Sequence, residues 1–394
     1  MTASLYIAWR YLAFNKVRTA TIIACITLIA VVPLALQLIL DESEQQLLSR
    51  AASTPLVVGA KGSALDLIMN TLYFDDEIPE RISMATSRRV LDSGLAVPIP
   101  LYVRFRARDF PIVGTTIEYF DFRRLTVREG RSLAVLGECV LGAAAAERLS
   151  LEPGDTIVSS PESLFDLAGV YPLKMKVVGI LNRSHTPDDL GVFVDVKTAW
   201  VIQGLGHGHD DLREATDPTV VIGRDEKNVA ASAKLPIYNE ITADNLHTFH
   251  FHGDAAIYPL TAVIAAPHDG KSGTILRGRY VSGDDAEQIV VPMDVVDGLL
   301  QSIFRIKNVM DAVVALVGIA TVLAVVLVFA LSLRLRQKEF DTIFKLGSSR
   351  LTVVRLVSAE ILIIGLVSAA LCSVLLWLAA LAAPDVVRAL IIRL

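Results

Sequence analysis

Residues 334–350 read Arg334-Leu-Arg-Gln-Lys-Glu339-Phe-Asp-Thr-Ile-Phe-Lys345-Leu-Gly347-Ser-Ser-Arg350 and separate two charge-free apolar runs, 312–333 and 361–384. Each run is long enough to cross a bilayer core of about 30 Å as an α-helix that rises about 1.5 Å per residue. Basic side chains outnumber acidic ones between positions 334 and 355, which favours the cytoplasmic side. Helical spacing places Phe340, Ile343 and Phe344 on one face, and Gly347 ends the helix. The segment is predicted to be a short cytosolic helix that binds another protein and couples the two.

A third charge-free apolar run covers residues 19–40. It is too long for a removable signal peptide and lacks a small-residue cleavage pattern, so it is predicted to be a permanent span. Arg10, Lys16 and Arg18 precede it without any acidic residue, which predicts a cytosolic N-terminus. Three spans then place the C-terminus and the region between the first two spans outside the cytosol.

Composition agrees with this topology. The chain has 394 residues, is 53% hydrophobic and has a mean hydropathy of +0.51, which is typical of a membrane protein. Its net charge is −5 although both predicted cytosolic segments are basic, so the exported region must be strongly acidic, which argues against nucleic acid as a partner. Of three cysteines, only Cys139 falls in that region, so an ordinary apolar core is expected to stabilise it.

The predicted fold is therefore a membrane protein with three helical transmembrane segments and a large α+β extracytoplasmic domain. The predicted segments are a cytosolic interfacial helix (1–18), a first span (19–40), an extracytoplasmic domain with helical stalks (41–307), a second span (308–333), a cytosolic coupling loop (334–355), a third span (356–384) and an extracytoplasmic tail (385–394). In the interfacial helix, Leu5, Trp9, Leu12 and Lys16 follow helical spacing.

Within the outer domain, short β-branched runs bounded by glycine predict strands. These runs are 112–115, 138–142, 154–157 and 176–181. Strands are also predicted at 192–194 and 219–222, and further sheet at 256–266, 280–281 and 288–291. Residues 143–149 are predicted to form a short helix. The glycines of segment 55–63 do not make a phosphate-binding loop, because Lys61 precedes its glycine; a strand that ends in a glycine turn is predicted instead.

Several motifs together resemble one family. They are Ala8-Trp-Arg10-Tyr-Leu, Ile112-Val-Gly114, Gly130-Arg131, Gly154-Asp155, Val177-Val-Gly179-Ile and Arg336-Gln-Lys-Glu339-Phe with Lys345-Leu-Gly347. In this combination the chain resembles MacB/LolC/FtsX-type permease subunits of ABC systems, over nearly its whole length. The resemblance implies an outer domain of the MacB-like periplasmic type. That family normally has four spans, whereas three are predicted here.

The resemblance also implies partners and a location. It implies a multi-pass permease of the bacterial inner membrane that forms a homodimer, binds a cytosolic ABC ATPase that uses ATP and Mg²⁺, and works with a periplasmic adaptor or lipoprotein. It implies that ATPase motion is transmitted to the periplasmic domain. The residues assigned to ATPase coupling are Glu339, Phe340, Phe344, Lys345, Leu346 and Gly347. The alternative roles are a solvated ion-pair partner for Glu339 and membrane-surface anchors for the phenylalanines.

A histidine-rich region is the candidate metal site. Its possible ligands are His207, His209, His247, His250, His252 and Asp254. Imidazole and carboxylate groups suit Zn²⁺, and His250 and His252 share one face if the segment is a strand. Histidine loops also occur in permeases of zinc-associated systems that resemble this chain. The alternative is that these are ordinary polar residues in two loops that lie apart.

Two further functions stay open at this point. One is an ATP-independent, membrane-anchored zinc sensor or binding module, and the other is an FtsX-like scaffold that activates a cell-wall hydrolase. The chain has no His-Glu-x-x-His and no Gly-x-Ser-x-Gly motif, so no enzymatic activity of its own is predicted.

Overall fold

The computed structural model describes residues 2–161, 172–208, 221–224, 229–231, 239–280, 286–335, 337, 342, 345, 347 and 349–391. Its helices are α1 (Thr2–Phe14), α2 (Lys16–Ala52), α3 (Ala64–Tyr73), α4 (Met84–Asp92), α5 (Ile117–Arg123), α6 (Ala143–Leu149), α7 (Val196–Ile202), α8 (Gly270–Arg279), α9 (Pro292–Leu335) and α10 (Arg350–Ile391). Contacts divide the chain into two units: residues 47–298, and the helical segments before and after them.

The strands are β1 (Leu56–Ala60), β2 (Ile82–Ser83), β3 (Ala96–Ala107), β4 (Phe110–Thr115), β5 (Val127–Gly130), β6 (Glu138–Leu141), β7 (Thr156–Val158), β8 (Leu173–Leu181), β9 (Val192–Asp195), β10 (Gly206–Gly208), β11 (Val221–Arg224), β12 (Val229–Ala231), β13 (Asn239–Glu240), β14 (Phe249–Phe251), β15 (Pro259–Leu260), β16 (Ala262–Pro267) and β17 (Glu287–Val290). Within the described residues, eleven of them form one mixed sheet of order β13-β8-β6-β9-β4-β3-β16-β1-β17, with β5 and β7 also paired to β8.

The unit of residues 47–298 is built around this sheet. Its largest fully buried side chains include Tyr102, Tyr119 and Phe193. The centroid of the Phe193 ring lies 5.7 Å from that of Tyr119 and 5.5 Å from that of Phe120. Aromatic contacts of this kind add to the stabilisation that comes from burying apolar area. The α+β character predicted for the outer domain is confirmed.

Local sequence explains where several helices begin. Ser63 Oγ accepts the backbone N–H of Asp66 (3.2 Å), and Asp269 accepts that of Ser272 (2.6 Å). A side-chain acceptor at the N-cap satisfies one of the free N–H groups of the first turn. These caps fix α3 directly after β1, and α8 directly after β16.

The central strands agree with the glycine-bounded runs of the sequence, and β1 followed by Gly62 agrees with the predicted strand and glycine turn. One predicted strand is wrong. Tyr280 closes helix α8, its backbone N–H donating to the carbonyl of Arg277 (3.1 Å), and Val281 lies outside the described residues. The strand-favouring pair of an aromatic residue, Tyr280, and a β-branched residue, Val281, suggested a strand, but the capped helix that starts at Gly270 continues to this position.

Among the described residues, two helices contain segments that are long and apolar enough to cross a membrane: Lys16–Ile39 in α2 and Leu351–Ala383 in α10. They overlap the first and third predicted spans. The predicted second span, 308–333, lies inside the continuous helix α9, and its crossing of the membrane stays a prediction. The tail from residue 385 continues α10 as far as Ile391.

Helix α1 lies within the predicted interfacial helix, whose place at the membrane surface stays a prediction. Ala8 is buried against Leu356 and Ala359 of α10. Leu12 is also buried, whereas Leu5 and Trp9 are exposed. The small side chain of Ala8 permits close helix packing.

Candidate functional site

The last turn of α2 carries a buried arginine that binds the core of the outer domain. Arg50 is 6% exposed and its partner Asp188 is 1% exposed. The guanidinium donates two parallel hydrogen bonds to the carboxylate, from Nη1 to Oδ2 (2.6 Å) and from Nη2 to Oδ1 (2.9 Å). A bidentate pair fixes both direction and distance, so the end of α2 is held in one geometry.

Further hydrogen bonds join this pair to two other helices and to the residue that precedes the Asp188 turn. Arg50 Nη2 donates to Tyr119 Oη (3.0 Å) in α5, and Arg50 Nε donates to the carbonyl of Leu72 (3.2 Å) in α3. Tyr119 Oη in turn donates to Asp188 Oδ1 (2.6 Å), and Thr186 Oγ1 donates to Asp188 Oδ2 (3.0 Å). The charge is thus compensated and hydrogen-bonded on all sides, as a buried ion pair requires.

Both members of the pair stay charged. Burial alone would raise the pKa of Asp188, but the charge and hydrogen bonds of Arg50 and the hydroxyl of Tyr119 hold it below its ordinary value. Burial would lower the pKa of Arg50, yet Asp188 raises it overall. Burial raises the pKa of Tyr119, which therefore keeps the proton that it donates to Asp188.

A second arginine, Arg123, binds the residues that follow the end of α2. Arg123 donates from Nη2 to Thr54 Oγ1 (2.8 Å) and from Nη1 to Ser53 Oγ (3.2 Å), just beyond the end of α2. Both hydroxyls also donate to the carbonyl of Arg50 (3.0 and 2.9 Å). Burial and the nearby charge of Arg50 lower the pKa of Arg123. This arrangement satisfies groups that a helix C-terminus leaves free.

This ion pair was not predicted from the sequence. A helical stalk was expected after the first span, but Asp188 lies 138 positions from Arg50, and no local pattern connects the two. The local signal is weak: an arginine at the end of a predicted stalk, and the acids of Pro187-Asp188-Asp189 in a region of many acids.

The histidine-rich segments are brought together by a small sheet. Strand β10 pairs antiparallel with β14, and His207 stands directly opposite His250. The Nε2 atoms of His250 and His252 are 3.1 Å apart. The expectation that these two histidines share a face is confirmed, and the alternative that the two histidine segments lie apart is wrong for His207 and His250.

The other candidate ligands are placed differently. His247 is exposed in a 3-10 turn, and Asp254 is exposed, accepts the backbone N–H of Ala256 (2.8 Å) and lies 3.6 Å from Arg88. His209 lies outside the described residues, as does the side chain of His207. Among the side chains that the structure describes, no three His, Cys, Asp or Glu groups are arranged to hold a metal ion.

Most of the predicted ATPase-coupling residues lie outside the described part of the chain: Glu339, Phe340, Phe344 and Leu346. Lys345 is helical and exposed. Gly347 is exposed and has a φ of 90°, a conformation that favours glycine, and α10 starts three residues later. That Gly347 ends the coupling helix stays a prediction, because most of residues 336–346 lie outside the described part of the chain.

Comparison with known proteins gives one family and several similar structures. The family model of the MacB-like periplasmic core domain matches residues 20–235, more than half of the chain. The periplasmic region of MacB from Actinobacillus actinomycetemcomitans is 13% identical, with 66% of this chain and 98% of that chain covered and a TM-score of 0.34. The extracellular domain of the noncanonic ABC-type transporter YknZ from Gram-positive bacteria is 11% identical, with 60% and 98% covered and a TM-score of 0.33. No curated protein matches the sequence.

Proposed function

We propose that this chain, which belongs to the MacB-like periplasmic core domain family of ABC-type transporter permeases, transmits the motion of an ATPase across a bacterial inner membrane to its outer domain. Permeases of this family are transporter components that work with a cytosolic ABC ATPase and are not themselves the ATPase. In this proposal residues 41–307 face the periplasm. The chain acts as a homodimer, with a periplasmic adaptor or lipoprotein as a further partner.

The observation that carries the proposal is the attachment of α2 to the core of residues 47–298. A helix can transmit its displacement to a domain only if the contacts that attach its end to the domain do not break when the helix moves. The bidentate pair of Arg50 and Asp188, with Tyr119 and the Leu72 carbonyl, joins the last turn of α2 to α3, α5 and the turn before β9. Breaking such a buried pair costs about 3–5 kcal/mol, so it resists being pulled apart.

Helix α9 is connected to the same sheet as α2. α2 ends at Ala52 and β1 begins at Leu56, whereas β17 ends at Val290 and α9 begins at Pro292. β1 and β17 are neighbours, with Val57 opposite Val290. Motion of either helix would therefore act on one of two hydrogen-bonded strands. This arrangement supports mechanical transmission to the sheet.

On the cytosolic side, the proposal assigns the ATPase contact to the predicted coupling residues Glu339, Phe340, Phe344, Lys345, Leu346 and Gly347. The phenylalanines would fill an apolar groove of the ATPase, and Glu339 would pair with a basic side chain there. The support is the sequence pattern and the resemblance on which it was assigned.

The first experiment tests this contact. Phe344→Asp is expected to abolish co-purification of the ATPase from native membranes, because a desolvated carboxylate cannot occupy an apolar groove. Phe344→Leu, which keeps the apolar character, is the matched control and is expected to retain the ATPase. Normal pairing in Phe344→Asp, with a folded outer domain, would refute the assignment.

The second experiment tests transmission. The double variant Arg50→Met with Asp188→Asn removes both charges together, which avoids leaving one buried charge unpaired. In the reconstituted complex we expect ATP hydrolysis to continue while the ATP-dependent change in hydrogen exchange of β1 and β17 falls severalfold. The control is Arg183→Met with Glu147→Gln, an exposed ion pair of the same domain. An unchanged response in the first double variant contradicts transmission through the Arg50 pair.

A further inference from the structure

The two-stranded sheet of β10 and β14 has one aromatic face and one histidine face. Gly206 lies opposite Phe251, and Gly208 lies opposite Phe249. A Cβ atom on either glycine would meet the facing phenylalanine ring at 2.5 Å or 2.8 Å, so the rings cover these glycines. Because side chains alternate along a strand, His250 belongs to the other face.

The aromatic face fixes this small sheet to the domain core. Phe249 and Phe251 pack against the main apolar cluster. The centroids of the Phe251 and Trp200 rings are 6.3 Å apart. Trp200 stacks on Tyr258 (4.8 Å), whose hydroxyl donates to the carbonyl of His252 (2.7 Å). The histidine face is thus held on a rigid support while His252 itself is exposed to solvent.

The imidazoles on this face have the spacing of metal ligands. His250 Nε2 and His252 Nε2 are 3.1 Å apart. Two imidazole nitrogens bound to one tetrahedral Zn²⁺, each at about 2.0–2.1 Å, lie about 3.3 Å from each other. A shift of a few tenths of an ångström would therefore let both nitrogens bind the same ion.

The orientation of the His250 ring is also suitable. Its Nδ1 lies 2.9 Å from the carbonyl oxygen of Thr248. A carbonyl can only accept, so Nδ1 is the donor of this hydrogen bond, and Nε2 is the ring nitrogen that lies next to His252. Metal-binding histidines commonly donate their other ring nitrogen to a backbone carbonyl in this way, which orients the ring and raises its basicity.

We propose that the β10–β14 sheet binds one divalent transition-metal ion of the Zn²⁺ class through Nε2 of His250 and Nε2 of His252. In the backbone register, residue 207 stands opposite His250. Imidazole nitrogens suit zinc, copper, iron and nickel more than the hard ions Mg²⁺ and Ca²⁺. Asp254 is not part of the set, because it caps the 3-10 turn at Ala256 and lies near Arg88.

The test uses the full-length chain, purified in detergent and stripped of metal, titrated with Zn²⁺ against a chromophoric chelator. One Zn²⁺ per chain is expected. His250→Asn and His252→Asn are each expected to weaken binding by about tenfold or more. The matched control is His185→Asn, since His185 has a φ of 58° that asparagine tolerates.

A spectroscopic measurement separates this site from loose binding by other histidines. Co²⁺ in a tetrahedral nitrogen site absorbs visible light strongly, and this absorption is expected in the wild-type chain and in His185→Asn but to be lost in His252→Asn. His252 is exposed, so its replacement leaves the fold intact. Equal Zn²⁺ affinity in the wild type, His250→Asn and His252→Asn would overturn the proposal. The pair would then be a hydrogen bond between two imidazoles and nothing more.

Discussion

Replacement of Asp188 tests the buried ion pair of Arg50 and Asp188 most directly. Asp188→Asn leaves the Arg50 guanidinium buried without its countercharge. We expect the free energy of unfolding of the outer domain to fall by about 3–5 kcal/mol. Denaturant unfolding of the full chain, followed by the fluorescence of buried Trp200, measures the change.

The matched control is Glu147→Gln, which breaks the exposed pair of Glu147 with Arg183. Exposed pairs contribute about 0–1 kcal/mol, so this variant should unfold nearly as the wild type does. A loss of stability of the same size in both variants would mean that burial of the Arg50 pair does not matter.

The same carboxylate predicts how stability depends on pH. The pKa of Asp188 is lower in the folded than in the unfolded chain, so the unfolded chain takes up the proton more readily. The stabilisation is therefore fully present above the ordinary aspartate pKa of about 3.9 and is lost as the pH falls through the lower folded value. We expect unfolding free energies measured between pH 7 and pH 2 to fall less steeply in Asp188→Asn than in the wild type. Parallel curves would contradict this role.

At the scale of elements, two glycines allow the backbones of β5 and β8 to approach each other closely. Gly130 lies opposite Gly179, and a Cβ atom on Gly179 would lie 2.2 Å from the carbonyl oxygen of Arg131. A Cβ on Gly130 would lie equally close to the carbonyl oxygen of Val178. Both glycines belong to motifs on which the family resemblance was based, and the close approach of the two backbones gives the physical reason for them.

Gly179→Ala is therefore expected to destabilise the outer domain by about 1–3 kcal/mol, because the obstructing atom is backbone and cannot move aside. Gly278→Ala serves as the control: Gly278 is exposed in α8, and its Cβ would meet nothing within 4 Å. Alanine favours a helix over glycine, so that variant should gain up to about 1 kcal/mol. The two changes in unfolding free energy should have opposite signs, and a neutral Gly179→Ala would show that the strands can separate.

At the scale of the whole molecule, the acidic outer region and the basic cytosolic segments predict the topology. A membrane-impermeant maleimide added to intact spheroplasts is expected to label Arg277→Cys, in exposed α8, at once. It should label Ser349→Cys only after the membrane is permeabilised. The wild-type chain provides the background, since burial raises the pKa of its Cys139 thiol and slows reaction there. The reverse labelling pattern would contradict the predicted orientation.

Much of the fold could be predicted because the relevant signals are local. Glycine-bounded β-branched runs located β4, β6, β7, β8 and β9, and the apolar run from residue 19 located the membrane part of α2. Prediction failed at Tyr280, where a helix cap at Asp269 outweighed strand propensity. The packing of Ala8 against α10 was not predicted, because a small side chain gives no periodic apolar signal.

The sequence by itself determined the family, the α+β outer domain and the long apolar helices, since hydrophobicity, charge and turn residues act over a few neighbouring positions. Only the tertiary structure decided that Arg50 meets Asp188 across 138 positions, and that His207 faces His250. Such pairs depend on strand register and on which buried charge compensates which. Those choices are made by packing of the whole domain, where an uncompensated charge or a strand shifted by one residue would be too costly to persist.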